Sequence, residues 1–387
     1  MPERTAAITP TRLCFAAAHV VLHEGYRDLG HRLDQPSSSA AIRAHLDWDA
    51  TMRLRSWLSS HGFGIAEAMD TAQRFVLGWE SAQELIARTG ALHLPHGFCA
   101  GAGTDHLGSV NSPQDLIDGV AHQCAQIAEH DGIPVILPMS FLARTNASAN
   151  DYVAVYRGIL ERTAGPLFLH WLGPMFLPEL DGYFPGDSLP RILALDRQKV
   201  RGIKISMLDA KLEVRLRREL LPHDQIVLTG DDFHFSRLIL GGDPEREPLP
   251  VAARVERYTT IGAHRVALGD FSHALLGVLD AIAEPAGRAL QALSRGDSAR
   301  FADLMGPCEQ LSRHVFCAPT QHYKAGLAFL NYLAGRQPNP MLIRREDLAR
   351  DADHYRRAAE LAVRCGALAD TPEVTARLLN FLAEPRA

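Results

Sequence analysis

The chain has no C-x-x-C pair. Its six cysteines (Cys14, Cys99, Cys124, Cys308, Cys317 and Cys365) are scattered over 387 residues. That spacing removes zinc-ribbon and thioredoxin-like readings and leaves them as small buried hydrophobes of a reducing compartment. No basic run occurs and the formal net charge is -5, so nucleic acid is not an expected partner. No apolar stretch reaches the roughly 18 residues of a membrane span. The opening Met1-Pro-Glu-Arg-Thr5 lacks a charged segment followed by an apolar one. There is no internal repeat and no low-complexity tract. These absences point to a soluble, cytoplasmic protein with neither membrane nor nucleic-acid partners.

What is present is a large apolar complement, 47% hydrophobic against 22% charged residues, enough for a sizeable core. Short apolar runs alternate with longer helical patterns, which argues for βαβ units and a parallel sheet. The pattern predicts strands over Arg12–Leu22, Gly64–Met69, His93–Cys99, Ile133–Met139, Pro166–Trp171, Val200–Ser206, Gln225–Thr229 and Arg265–Leu268. Polar loops are expected at Gln35–Ser39 and Gly242–Val251. Asp47 or Asp49 is a candidate helix cap, and Ser112-Pro-Gln-Asp115 opens a helix with Ser as N-cap and Pro first. Beyond about Phe271 the chain reads as helix throughout, with segments at Ala274–Ala283, Gly287–Leu293, Ala299–Leu311, Thr320–Leu333 and Arg345–Cys365. The expectation is an α/β protein, a (β/α)8 barrel over residues 1–273 with a helical extension over 274–387. The apolar stripe Ala325, Leu327, Phe329, Leu330 and Leu333 reads as core of that extension.

In a parallel barrel, chemistry belongs at the C-terminal ends of the strands. Those ends carry Glu67, Asp70, Thr71, Asp105, His106, Ser140, His170, Lys204, Ser206, Asp231, Asp232 and Asp270, with His19 on the first strand. Lys204 stands out. It lies in the apolar run Val200-Arg-Gly-Ile-Lys-Ile-Ser206, and burial of a lysine disfavours its charged form. A neutral amine is a nucleophile that forms a Schiff base with a carbonyl. The plainer reading is a strand-end lysine that snorkels to water or pairs with a carboxylate.

Four segments then appear in order. Pro166-Leu-Phe-Leu-His-Trp-Leu-Gly-Pro174 is similar to P-[IV]-[IL]-[LI]-Y-N-[VI]-P. Gly202-Ile-Lys-Ile-Ser206 is similar to G-[IV]-K-D-[ST], and Thr229-Gly-Asp-Asp232 to S-G-D-D. Gln321-His-Tyr-Lys-Ala-Gly326 with Arg336-Gln-Pro-Asn-Pro340 is similar to K-x-[AL]…G-x-x-R-x-P. Together, from about Arg12 to Pro340, they resemble the dihydrodipicolinate synthase / N-acetylneuraminate lyase family of class I aldolases. Within it the chain looks like a longer, divergent branch, the bacterial group DUF993. The resemblance implies a barrel, a Schiff base on Lys204 with no cofactor, a small-molecule carbonyl substrate and a homo-oligomer.

Two of the departures from that pattern bear on function. The family's strand-five tyrosine falls on His170, which can move protons or serve as a plain hydrogen-bonding residue. The family's G-T-T-G-E loop, which binds the carboxylate of a 2-oxo acid, is replaced by Met69-Asp70-Thr71-Ala72-Gln73. A carboxylate at Asp70 repels another carboxylate and accepts hydrogen bonds from hydroxyls. The expected substrate is therefore a keto-sugar or related polyhydroxylated compound rather than a 2-oxo acid, unless Asp70 pairs with Arg74 or another cation and only shapes the loop. Thr71 and Asp70 would position the substrate, with Ser206 alongside, and His170, or a carboxylate such as Glu67 or Asp232, would move the protons. Asp231-Asp232 would hold Lys204 or substrate hydroxyls, or form a turn.

Two other classes stay open. One is a metal-dependent sugar isomerase or epimerase, with Glu67, Asp105, His106, His170 and Asp232 as ligands for Mn, Mg or Zn. The other is a non-catalytic sugar-binding protein.

Overall fold

Parallel strands in sequence order make one closed ring in the computed structural model, which describes residues 10–30, 38–242 and 251–383. The loops expected at Gln35–Ser39 and Gly242–Val251 fall largely outside those residues, as does the N-terminal segment. Seven strands come first: β1 (Cys14–Ala17), β2 (Gly64–Glu67), β3 (Phe98–Ala102), β4 (Ile133–Ile136), β5 (Leu167–Leu172), β6 (Val200–Ser206) and β7 (Ile226–Thr229). An antiparallel hairpin follows, β8 (Arg257–Ile261) with β9 (His264–Leu268). Then β10 (His273–Leu276) pairs with β7 on one side and β1 on the other and closes the ring. Closure leaves no unpaired strand edge. The barrel strands are almost wholly buried, as expected where both faces are covered.

The eighth strand is thus not Arg265–Leu268. That segment is one arm of the hairpin, and the residues that close the barrel, His273-Ala-Leu-Leu276, were read as the start of a helix. The hairpin has its own place. Ile261, Val266 and Leu268 pack with Phe15, Ile133, Phe168 and Ile226 from the barrel interior, and His264 meets Phe15 edge-on at 6.0 Å. It plugs the N-terminal end of the barrel. Two consequences correct the sequence reading. Asp270 precedes the last strand and lies away from the mouth, paired with Arg217 at 2.8 Å and Arg218 at 2.8 Å. The division expected after residue 273 falls at the first residue of β10. The third strand also begins later than expected, at Phe98, because Leu92–Gly97 is a turn held by Gly97 N–H on Leu94 O.

The helices that follow are Leu279–Ser294, Ser298–Val315, Tyr323–Leu333, Ala352–Cys365 and Pro372–Ala383. The stripe Ala325, Leu327, Phe329, Leu330 and Leu333 is buried, with the Phe329 ring 4.7 Å from Tyr355 and 4.6 Å from Phe381. Helix starts obey the expected chemistry. Asp47 accepts from Ala50 N–H, and Ser112 forms a reciprocal capping box with Asp115 at the head of Pro113–Ala128. Among the described residues no helix is long and apolar enough to cross a membrane.

Candidate active site

Parallel pairing puts His170 of β5 level with Lys204 of β6, and Lys204 level with Leu228 of β7. Lys204 is the one residue of β6 that is not fully buried, and its side chain rises toward the C-terminal mouth. Gly230, just past β7, makes room for it. A Cβ there would stand 2.9 Å from Lys204 Cε and 2.3 Å from Ser206 Oγ, so no side chain fits.

Lys204 lines a small cavity of about 20 Å³ together with Asp70, Thr71, His170, Ser206, Asp232, Phe176, Phe316 and Tyr323. Six of the expected site residues are therefore brought together: Lys204, His170, Asp70, Thr71, Ser206 and Asp232. Burial lowers the Lys204 ammonium below its ordinary 10.5, against the pull of Asp232 and Asp70. Burial likewise raises the Asp232 carboxyl well above its ordinary 3.8, opposed by Lys204 and helped by Asp231. The same burial, with the Lys204 charge, holds His170 well below 6.5, so its imidazole is neutral at physiological pH. His170 Nε2 is 3.3 Å from Ser206 Oγ, and its Nδ1 is buried with no hydrogen-bond partner. Desolvation thus favours the uncharged form of the amine and of both Asp232 and His170 beside it.

The opposite wall comes from the C-terminal helices. Tyr323 OH shares a 2.8 Å hydrogen bond with Thr71 Oγ1, and its ring stacks on Phe316 at 4.3 Å. Burial raises the Tyr323 phenol well above 10. The next residue, Lys324, donates from Nζ to Asp70 Oδ2 at 2.9 Å. Neither was identified from sequence as a site residue. Their only signal was the C-terminal segment that carried the family resemblance.

Other expected residues are committed elsewhere. Glu67 is fully buried and lies outside this cavity. Its Oε1 and Oε2 accept from Arg55 at 2.9 and 2.8 Å, and from Ala68 N–H and Thr89. Burial alone would raise its pKa, but Arg55 holds it below the ordinary 4.5. The bend it supports is real, because Ala68 has φ +48°, a conformation L-residues seldom adopt. The cation that pairs with Asp70 is Lys324 and not Arg74. Arg74 forks onto Asp105 at 3.0 and 2.9 Å and donates to Gln123. His106 is 2.9 Å from Gln123. Asp231 is a turn residue: its Oδ1 accepts from Phe233 and His234 N–H, and its Oδ2 meets His234 Nδ1 at 2.9 Å. His19 sits between Asp280 at 2.5 Å and Gln337 at 2.6 Å. The five alternative metal ligands do not converge: Asp105 and His106 meet at Gln123, His170 and Asp232 line the Lys204 cavity, and Glu67 is held by Arg55, and among the described residues no three His, Cys, Asp or Glu side chains gather as ligands.

Solved structures share this fold. The chain is similar to dihydrodipicolinate synthase from Thermotoga maritima, with 15% identity, a TM-score of 0.61, and 92% of this chain and 99% of that one covered. It is similar to dihydrodipicolinate synthase from Aquifex aeolicus at 12% identity and a TM-score of 0.59, covering 93% of this chain and all of that one. N-acetylneuraminate lyase from Mycoplasma synoviae is similar at 13% identity and a TM-score of 0.57, with coverage of 91% and 97%. At such identities the likeness establishes the barrel with its helical C-terminal part. No curated protein matches the chain. The family described as "Protein of unknown function (DUF993)" matches residues 1–385, and it is to this family that the chain belongs.

Proposed function

We propose that the protein is a Schiff-base lyase that makes or breaks a carbon–carbon bond beside a carbonyl group, with Lys204 as the nucleophile. One observation carries this reading. An amine whose charge is disfavoured by burial stands in a cavity walled by His170, Ser206, Asp232, Thr71 and Tyr323, which is how a lysine is made nucleophilic at physiological pH. The fold shared with aldolase-class relatives supports the same reading by analogy.

In this mechanism the free amine of Lys204 adds to the substrate carbonyl carbon. The protonated Asp232 carboxyl hands its proton to the carbinolamine hydroxyl, which leaves as water and gives the protonated imine. A base then takes the proton from a hydroxyl on the β carbon. The bond between the α and β carbons breaks, its electron pair moves into the iminium as an enamine, and the β carbon departs as an aldehyde. The α carbon of the enamine takes a proton, and water hydrolyses the imine, returning the lysine amine and releasing the second carbonyl product. Condensation is the same path reversed. His170 fits the base, since it is neutral and has a ring nitrogen free.

Asp70 now reads differently. Lys324 compensates its charge, so the repulsion that argued against a 2-oxo acid is reduced, while Oδ1 stays available to a substrate hydroxyl. Borohydride reduction in the presence of a carbonyl panel, followed by peptide mass spectrometry, tests the proposal. The expected result is an adduct on Lys204 that is lost in Lys204→Met. Adducts spread over surface lysines, or none at all, would sink it.

A further inference from the structure

A second cavity of about 260 Å³ adjoins the Lys204 cavity and shares Asp70, His170 and Leu172 with it. The contrast in size and character is informative. About 20 Å³ holds roughly one water, so the space at the amine takes little more than a carbonyl carbon and its oxygen. An apolar cavity of about 150 Å³ accommodates benzene, so the larger one admits a substituted ring or a branched chain.

Its wall is mainly hydrocarbon: Phe75, Leu107, Val110, Leu137, Phe141 and Leu177. The carboxylate of Asp105 on this wall is already held by Arg74 and Gln123. Thr104, Ser140 and the exposed Arg144 are further polar groups there. Hydroxyls of a sugar laid along such a wall would exchange water for carbon and lose their hydrogen bonds. Phe75 is 62% exposed, a large aromatic left facing water beside a concave apolar surface.

We infer that this cavity receives the substituent on the β carbon, and that the substituent is a ring or a branched hydrocarbon. On the lyase reading of Lys204, from which this inference proceeds, the substrate is then an aldol whose departing aldehyde is apolar, rather than a polyhydroxylated sugar. The retained half lies at Lys204, and Asp70, on the wall common to both cavities, is placed to accept a hydrogen bond from a hydroxyl at their junction.

The test compares borohydride trapping of 4-phenyl-2-butanone, dihydroxyacetone and pyruvate by the wild type and by Val110→Asn and Phe75→Ser. Both substitutions fall at positions that are not fully buried, and circular dichroism checks that the variants are folded. The phenyl ketone is expected to trap at least tenfold more efficiently than dihydroxyacetone, the order of discrimination an apolar pocket provides. That ratio should fall severalfold in each variant. Equal trapping of the two compounds, or a ratio unmoved by both substitutions, overturns the inference while leaving imine chemistry intact. If no carbonyl is trapped, the lyase reading fails, and calorimetry with benzyl alcohol decides the cavity separately. Saturable binding weakened in Val110→Asn supports an apolar ligand there, and absence of binding overturns it.

Discussion

Lys324 reaches from the C-terminal helices to Asp70 at the barrel mouth, Nζ to Oδ2 at 2.9 Å, across 254 residues of sequence. The Lys324 side chain is 5% exposed and that of Asp70 39%, so the cation is the buried partner. Removing Asp70 would strand it.

Asp70→Asn should therefore destabilise the protein by at least about 1–3 kcal/mol, the range for a buried donor that loses its partner, which is larger for a charged one. The double variant Asp70→Asn with Lys324→Met should recover part of the loss. A double-mutant cycle on urea denaturation measures the coupling, expected at roughly 0.5–3 kcal/mol for residues in contact. Additive single effects would mean the pair does not form in solution.

Trapping at Lys204 should rise with pH and level off below the ordinary lysine value of 10.5, because burial lowers the pKa and only the deprotonated amine attacks. The profile of the single-turnover adduct rate, read by mass spectrometry, gives the midpoint. A midpoint at the ordinary value would mean the amine is solvated and unactivated.

Tyr323→Phe should keep the ring on Phe316 and lose the hydroxyl's interactions with Thr71 and Asp70, lowering stability by about 1 kcal/mol. Tyr323→Ala removes the stacked ring as well and should cost about 3–5 kcal/mol. Thermal unfolding of the two variants separates these contributions. Equal losses would place the stabilisation in the hydroxyl rather than in the ring.

Glu67→Gln should lower stability by about 3–5 kcal/mol, as expected when one partner of a buried pair loses its charge and Arg55 is left uncompensated. The pH midpoint of Lys204 trapping should not move, since Glu67 lies outside the cavity. A shifted midpoint would return Glu67 to the site.

Glu213 provides a pH test of the fold. It is buried behind β7, accepts a 3.0 Å hydrogen bond from the Thr229 hydroxyl, and is pushed up by burial from 4.5 to about 8. Between those values the folded protein holds a proton that the unfolded chain has released, so stability falls as pH rises through that window. Glu213→Gln should remove this slope, gaining more over wild type at the alkaline end than at the acid end. Denaturant midpoints at both ends give the answer. An unchanged difference would show the carboxylate already ionised in the fold.

The barrel and most of its mouth were legible because parallel strands covered on both faces leave contiguous apolar runs. β6 has the bounds its sequence indicated, and its lysine, serine and neighbouring histidine lie together as expected. β10 was hidden because His273-Ala-Leu-Leu276 runs directly into a helix and has helix-compatible residues. One arm of the hairpin took its place because its apolar run Val266-Ala-Leu268 also reads as a strand. Glu67 was misassigned for a related reason. Sequence put it at a strand end but not on a face, and its side chain turns to Arg55 of the helix Trp48–Ser60 instead of the mouth. Tyr323 and Lys324 carry no mark beyond the segment that bore the family resemblance, as their partners lie some 250 residues upstream.

The pairing of β1 with β10 also sets a timetable. Cys14 waits for Ala274, about 260 residues further along, and at roughly 5–20 residues per second of synthesis that is on the order of 13–50 seconds. Throughout that time the nascent chain presents one flank of β1 as a row of unsatisfied backbone groups, the kind of edge on which chains aggregate. The ring is sealed only after the plug hairpin has emerged. The first strand stays without that neighbour until His273–Leu276 has been made.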